Sequence, residues 1–346
     1  MLKNVFNIKK FLSKKYILSI LILLTIFSVT AIIRRSDGQI QEDNYVGYSL
    51  SLRQKLDNLS YYDRRLLPGF PILIHLINLL TDNPIISAYI VIFSAALLSY
   101  LLLGAITDTK GNLFIFLFPP IMLDIASKIT NEYLTIFIVL FSIYLFRNGR
   151  YNLASFISGL CMWIRPVGVL LFPSLLISLF IYRKDKITPK LFLSFLFPVL
   201  TLVFYNFYFF NNISPIYQLF VYKEVSPYGN SIGFVQVIAD LIRSFKWGQF
   251  PIFFSGLFYF GLFIFAFIQT IKRRSAFNNE KDFFIILSGL LMILYIFSYS
   301  FTPFLENFAR YLTPIIFMWW ILFKKKIKIP RVAYFLILLS FIMAVK

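Results

Sequence analysis

From Tyr16 to Ile33 the chain runs 18 residues without a charged side chain, and a helix needs roughly 17 to 25 such residues to cross the ~30 Å hydrocarbon core of a bilayer. Further apolar runs follow at about 85–104, 112–125, 133–146, 152–164, 167–182, 191–210, 251–271, 283–299, 312–323 and 332–345. With 59% hydrophobic side chains, 43 Phe and only 14% charged residues over 346 positions, one soluble core cannot enclose the apolar surface. The expected fold is all-α, a polytopic transmembrane helical bundle of about 11 spans forming a single domain over residues 1–346. No internal repeat, heptad or low-complexity run divides it. The runs 133–146, 152–164 and 312–323 fall short of a full crossing, so some are expected as re-entrant or broken helices lining a cavity.

Charge distribution gives the expected orientation. The net charge of +19 would suggest nucleic acid in a soluble protein, but in a membrane chain Lys and Arg flank spans and fix topology, so no nucleic-acid partner is expected. With the N-terminus cytoplasmic, the inner segments hold 21 of the 34 basic residues and, of the 15 acids, only Asp108, Asp185, Glu280 and Asp282. The other acids gather on the extracytoplasmic side, where a reaction could use them. The basic start and Val29-Thr30-Ala31 resemble a secretory leader, but with or without cleavage the following loop is extracytoplasmic.

Two outer loops are long, 34–84 and 211–250. In the first, Asp43 to Asp57 reads as a helix lying at the interface, and Pro68 opens a second short helix reaching Leu80. In the second loop, Ile232, Val235, Ile238, Leu241, Ile242 and Phe245 recur at helical spacing and predict another surface helix.

The candidate chemistry lies in these loops and at the outer span ends. A carboxylate just beyond a span stays wet enough to ionise, and an apolar wall can lift its pKa toward the range of a general base. Asp43, at the start of the surface helix, is the first choice, with Asp37 and Glu42 as alternatives; the plain structural role for Asp43 is an N-cap. Arg64 and Arg65 sit against Pro68-Gly69-Phe70-Pro71, where a rigid turn could hold a planar guanidinium toward a phosphate or simply toward lipid headgroups. Glu132, between Asn131 and Tyr133, is an ionisable residue at a span end and so is expected to face a cavity or a partner. Asp124 is deeper and can pair with Lys128 four residues on. Arg165, before Pro166, must find an anion, either Glu132 or a phosphate. Arg310, in Glu306-Asn307-Phe308-Ala309-Arg310-Tyr311-Leu312-Thr313-Pro314, has Glu306 as its simplest partner at i,i−4.

His75 is the sole histidine and Cys161 the sole cysteine, so a His-based triad, a His-based metal site, a disulfide and a thiolate cluster are all excluded within one chain. His75 among apolar neighbours reads as structural, and Cys161 as a small buried hydrophobe. No P-loop or GxGxxG pattern supports nucleotide chemistry. No metal ligand set and no cofactor is assigned, and a divalent cation is left open.

The order of these pieces resembles the GT-C superfamily of integral-membrane glycosyltransferases, especially the protein-mannosyltransferase and aminoarabinose-transferase type that draws sugar from a polyprenyl-phosphate carrier. The resemblance rests on the acidic loop after the first span, Arg65-Leu66-Leu67-Pro68-Gly69-Phe70-Pro71-Ile72-Leu73, Asn131-Glu132, Arg165-Pro166-Val167-Gly168 and Arg310-Tyr311-Leu312-Thr313-Pro314. It implies a catalytic carboxylate at Asp43, an assisting acid at Glu132, and donor binding by Arg64, Arg65, Arg165, Arg310, Tyr45 and Tyr311. In the family the acid is followed by a spaced tyrosine and small residues, whereas here Tyr45 follows almost at once, which keeps Asp37 and Glu42 open as the base.

The implied reaction is inverting transfer from a polyprenyl-phosphate sugar donor to an extracytoplasmic glycan, lipid or protein acceptor, with membrane lipid as the enclosing partner. The transition state is oxocarbenium-like, and arginines would stabilise the departing phosphate. Two other functions fit a chain of this kind. A lipid-linked polysaccharide polymerase shares many spans, large outer loops and paired arginines but needs no base in the first loop. A non-enzymatic transporter or flippase should carry charges near the midplane and show repeated halves, which this sequence does not.

Overall fold

A computed structural model describes residues 14–36, 44–107, 112–225, 257–258, 261, 264–265, 268, 279–298, 305–323, 337 and 341–342. Among them the fold is helical, with no strand. The predicted surface helix at 232–245 and most of the predicted spans 251–271 and 332–345 lie outside the described residues.

Among the described residues, three helices are long and apolar enough to cross a membrane: α1 (Lys14–Ser36), with its apolar stretch over Tyr16–Arg35, then Pro84–Thr107 and Pro189–Phe210. Between α1 and the second of these lie α2 (Tyr45–Ser51), a 3-10 turn Leu52–Gln54, a 3-10 turn Tyr62–Arg65 and α3 (Gly69–Thr81). Pro84–Thr107 is α4. It is followed by α5 (Leu113–Leu117), α6 (Pro120–Ser127), α7 (Glu132–Arg147) and α8 (Tyr151–Leu160). Two 3-10 turns, Cys161–Trp163 and Pro166–Leu170, lead to α9 (Leu171–Tyr182), and Pro189–Phe210 is α10. Then come α11 (Tyr217–Val225), α12 (Glu280–Ser298) and α13 (Leu305–Phe323). Large apolar side chains stand exposed along α1 (Leu18, Leu21, Ile32) and α10 (Leu193, Phe197, Phe204), the pattern of a surface that faces lipid rather than water.

The core is organised around α7. From Glu132 to Phe146 nearly every side chain is buried, and only the stacked pair Phe137 and Phe141 marks a half-open edge of the helix. It packs against α4, α8 and α13. Its 16 residues rise only ~24 Å at ~1.5 Å each, short for lipid exposure but sufficient for a helix shielded by longer neighbours.

The helices share two ends. At the first, Tyr16 meets Tyr100 edge-on at 6.1 Å, Trp320 donates to Asn112 at 3.1 Å, Phe146 stacks on Phe284 at 4.1 Å, and Glu280 takes Tyr151 at 2.9 Å and Arg183 at 3.3 Å. At the second, Arg34 pairs with Asp124, Tyr89 donates to the Ser127 carbonyl at 2.8 Å, and Asn131 donates to the Ile164 carbonyl at 2.7 Å. Among the described helices, α1 runs from the first end to the second, and α4, α7 and α13 run back from the second to the first.

Three local expectations change. The apolar run 112–125 is two short helices, because Pro119 and Pro120 supply no amide hydrogen and Pro119 is extended (ψ 122°) before the second proline. The surface helix over Asp43 to Asp57 stops early: Lys55 and Leu56 take positive φ (50° and 64°), the Leu56 amide bonds back to the Ser51 carbonyl at 2.9 Å, and Leu56 is buried. Such a left-handed closure satisfies the last carbonyls of a helix. The third change is at 312–323, where the helix begins earlier, at Leu305, and brings Arg310 inside its first turns. By contrast, the short helix opened by Pro68 is found as α3, closed by Asp82 at φ 50°.

Candidate functional site

The site begins with a break in the chain. Arg165 is extended (φ −157°, ψ 123°) between two 3-10 turns, since Pro166 denies its predecessor the helical region. That strand of backbone is held from two sides. The Asn131 side chain donates to the Ile164 carbonyl at 2.7 Å. From the other side comes the turn at Pro68-Gly69: a methyl group at Gly69 would stand 2.6 Å from the Trp163 carbonyl oxygen and 2.9 Å from Ile164 Cγ1, so only glycine allows this approach. Trp163 is fixed in turn by its indole N–H on the Pro198 carbonyl at 2.8 Å.

Held in this way, Arg165 reaches Glu132. Its Nη2 lies 3.0 Å from Glu132 Oε1, and Arg310 places Nε at 2.9 Å and Nη2 at 2.8 Å on the same oxygen. Glu132 is fully buried and the two arginine side chains are 11% and 13% exposed. Two guanidiniums on one carboxylate offset the desolvation that burial of a charge imposes, and the geometry is that of charge-assisted hydrogen bonds. Oε2 is different, having no hydrogen-bond partner. The Thr130 hydroxyl also faces the carboxylate, its own hydrogen bond running to the Ile125 carbonyl at 3.4 Å.

A second charged group lies at the same end. Asp124 receives Arg34 and, at 3.0 Å, Lys128, while Arg34 also donates to Ser127 at 3.3 Å. It ties α1 to α6. Its side chains are about as enclosed as the two arginines above.

Arg64 and Arg65 occupy the 3-10 turn Tyr62–Arg65, which packs against α11. Arg64 lies 5.6 Å from the Phe210 ring centre and 6.0 Å from that of Tyr61, whose hydroxyl bonds Glu224. Such cation–aromatic contacts contribute about 0.5–1 kcal/mol at exposed sites. From there a line of aromatic contacts leads back toward Arg165: Tyr48 shares a 2.8 Å hydrogen bond with Tyr205, and Tyr205 meets Trp163 edge-on at 5.6 Å.

Of the residues singled out in the sequence, the structure brings Glu132, Arg165 and Arg310 into direct contact and sets Arg64 on the adjoining aromatic wall. Tyr45 is buried edge-on against Phe70 at 5.0 Å. Asp37, Glu42 and Asp43 lie outside the described residues, as do the side chains of Glu306 and Tyr311. Asn44 precedes α2 without capping it and instead donates to Asp63 at 2.5 Å. His75 bonds the Ser49 carbonyl at 3.1 Å, joining α3 to α2 in a structural role. The sequence placed Glu132 and Arg310 in one site but did not pair them directly, because they lie 178 positions apart; the signal was a span-end glutamate needing compensation. Among the described residues no three of His, Cys, Asp or Glu gather as metal ligands.

No family model, no curated protein and no solved structure matches this chain.

Proposed function

We propose that the protein is a membrane glycosyltransferase of the GT-C kind, a bundle of about 11 spans that moves a sugar from a polyprenyl-phosphate donor to an extracytoplasmic acceptor. The observation carrying this reading is the convergence of Arg165 and Arg310 on buried Glu132, beside the Gly69 turn and Asn131. Four separated sequence segments thereby meet at one end of the bundle. Counted alone, the three charged side chains carry an excess positive charge, which suits an anionic headgroup.

In this mechanism the acceptor hydroxyl gives its proton to a carboxylate of the first loop, Asp43 first among the choices. Its oxygen forms the new bond to C1 as the bond from C1 to the phosphate oxygen breaks. Polyprenyl phosphate leaves with that electron pair, its charge met by the guanidiniums. Glu132 then serves chiefly to position Arg165 and Arg310, since Oε1 is already engaged by three nitrogens. The lipid tail enters between spans while the sugar stays at the surface. The grouping of charge at helix ends rather than midway favours this over a transporter.

The test is reconstitution of the full chain in liposomes with a panel of hexosyl and pentosyl polyprenyl phosphates. Release of polyprenyl phosphate, lost in Arg165→Ala and Arg310→Ala, is expected. No release from any donor would remove the enzyme assignment.

A further inference from the structure

Arg165 and Arg310 share a carboxylate, but among the described residues no anion pairs with Arg64. Its side chain is half-buried, Nε is withdrawn from the surface without a hydrogen-bond partner, and the guanidinium lies over the Phe210 and Tyr61 rings. The neighbouring carboxylates are turned elsewhere. Asp63 takes Ser60 at 2.6 Å and Asn44 at 2.5 Å, and Glu224 takes the Tyr61 hydroxyl. The place of Arg64 along α10 limits which anion can meet it. Trp163, two residues before Arg165, touches α10 at the Pro198 carbonyl, whereas Arg64 lies against Phe210, the last residue of that helix. The stretch from Pro198 to Phe210 rises ~18 Å at ~1.5 Å per residue, so Arg64 stands at the outer rim, well beyond the Glu132 cluster. Just beneath it, Phe204, Phe207 and Tyr208 share one face of α10, each more than half exposed, and Phe210 follows Phe207 at the next turn. Tyr217 stacks on Phe210 at 5.2 Å, and tyrosines gathered where an apolar helix ends mark the headgroup level of a bilayer. A guanidinium at the top of a lipid-facing apolar stripe complements a phosphate with acyl chains below it.

We infer that Arg64 binds the phosphate of an anionic membrane phospholipid whose acyl chain lies along Phe207 and Phe204. The turn that carries Arg64 packs against α11, and Tyr61 of the same region bonds Glu224 there, so the bound lipid braces the first outer loop against the second. A polyprenyl phosphate offers the same headgroup chemistry. The ~18 Å rise that separates Arg64 from the Glu132 level, and the outward face of the stripe, give this site to bulk phospholipid instead. It holds whether or not the chain transfers sugar.

The experiment is native mass spectrometry of the full-length protein in detergent, with phosphatidylglycerol and phosphatidylcholine of matched chains added in equal amounts. Wild type should retain phosphatidylglycerol roughly fivefold over phosphatidylcholine, the scale of one basic residue at an anionic lipid surface. Phosphatidylglycerol should also raise its unfolding midpoint. Arg64→Ala should lose both the preference and the rise, and Phe207→Asp, which sets a carboxylate beside the acyl chain, should lose the preference. Inorganic phosphate, lacking a tail, should not displace the lipid, and neither should a short prenyl phosphate at equal concentration. Equal retention of the two phospholipids by wild type, or an undiminished preference in Arg64→Ala, would overturn the site. Displacement by the prenyl phosphate would assign Arg64 to the donor and overturn the phospholipid reading. The comparison of lipids on wild type needs no variant, so poor folding of Arg64→Ala does not remove the test.

Discussion

Replacing Glu132 by alanine would leave two guanidiniums facing each other with most of their surface withdrawn from water. Oε1 now meets three nitrogens at 2.8, 2.9 and 3.0 Å. Each hydrogen bond to a charged group contributes about 1.5–3 kcal/mol, but the three share one acceptor and do not add. Breaking a buried ion pair by removing one partner costs about 3–5 kcal/mol, chiefly through the charge left behind. Spread over a chain of this length, that amounts to a drop of roughly 5 °C in the unfolding midpoint. The sole cysteine supplies the assay: Cys161 is 2% exposed in the fold, so a thiol-reactive fluorophore in detergent reports unfolding as temperature rises. A triple variant, Glu132→Leu with Arg165→Met and Arg310→Met, should recover most of the midpoint, because apolar side chains of similar volume commonly replace a buried charged group without loss. It should remain inactive. An unchanged midpoint in Glu132→Ala would refute the claim that this carboxylate holds the two arginines in place. Recovery of activity along with stability in the triple variant would refute their role in donor binding.

Asp43→Asn should abolish sugar transfer from a polyprenyl-phosphate donor while the protein stays inserted and abundant, measured by donor turnover beside immunoblots of membranes; full activity would move the base to Asp37 or Glu42. Gly69→Val should displace the Trp163 to Arg165 backbone, destabilise by about 1–3 kcal/mol and reduce turnover, whereas Gly149→Ala, at φ 70° with open space around it, should destabilise by about 1 kcal/mol and leave turnover alone. Arg183→Ala removes an ion pair to Glu280 from a side chain that is 56% exposed, so its unfolding midpoint should move by less than about 1 kcal/mol equivalent; a larger shift would mark the Glu280 cluster as a structural latch. In a Cys161→Ala background, Asn58→Cys should react with a membrane-impermeant maleimide on intact cells and Lys186→Cys only after permeabilisation, and the reverse pattern would invert the orientation inferred from charge.

The spans were legible where one property dominates. Helices α1, α4 and α10 are continuous apolar runs, and the sequence places each to within a few residues. Helix ends were harder. Nothing in Asp43 to Asp57 except Gly47 disfavours a helix, and the stop at Lys55 depends on Leu56 turning inward to be buried, which is a tertiary preference. The split at Pro119-Pro120 was open to reading, but the apolar run across it concealed the break. For the site, charge in an apolar chain was a reliable pointer, because an ionisable group at a span end must be compensated. That logic offered Glu132 as one of two anions for Arg165, and gave Lys128 to Asp124. It gave Arg310 to Glu306 by proximity in sequence, whereas the structure shows Arg310 on Glu132 from across the bundle. Spacing along a helix reveals local pairs, and only packing reveals the distant one.

Because α7 is enclosed on all but its Phe137 and Phe141 edge and its leading glutamate is shared between a helix break soon after it and the much later helix α13, the order of synthesis has consequences. The ribosome delivers Glu132 first, Arg165 after 33 further residues and Arg310 only after 178. Until α13 docks, the nascent bundle holds a half-compensated carboxylate and an uncovered α7 in the bilayer. Biogenesis of this protein should therefore depend on the insertion machinery, or a chaperone within the membrane, shielding that helix until α13 has been made.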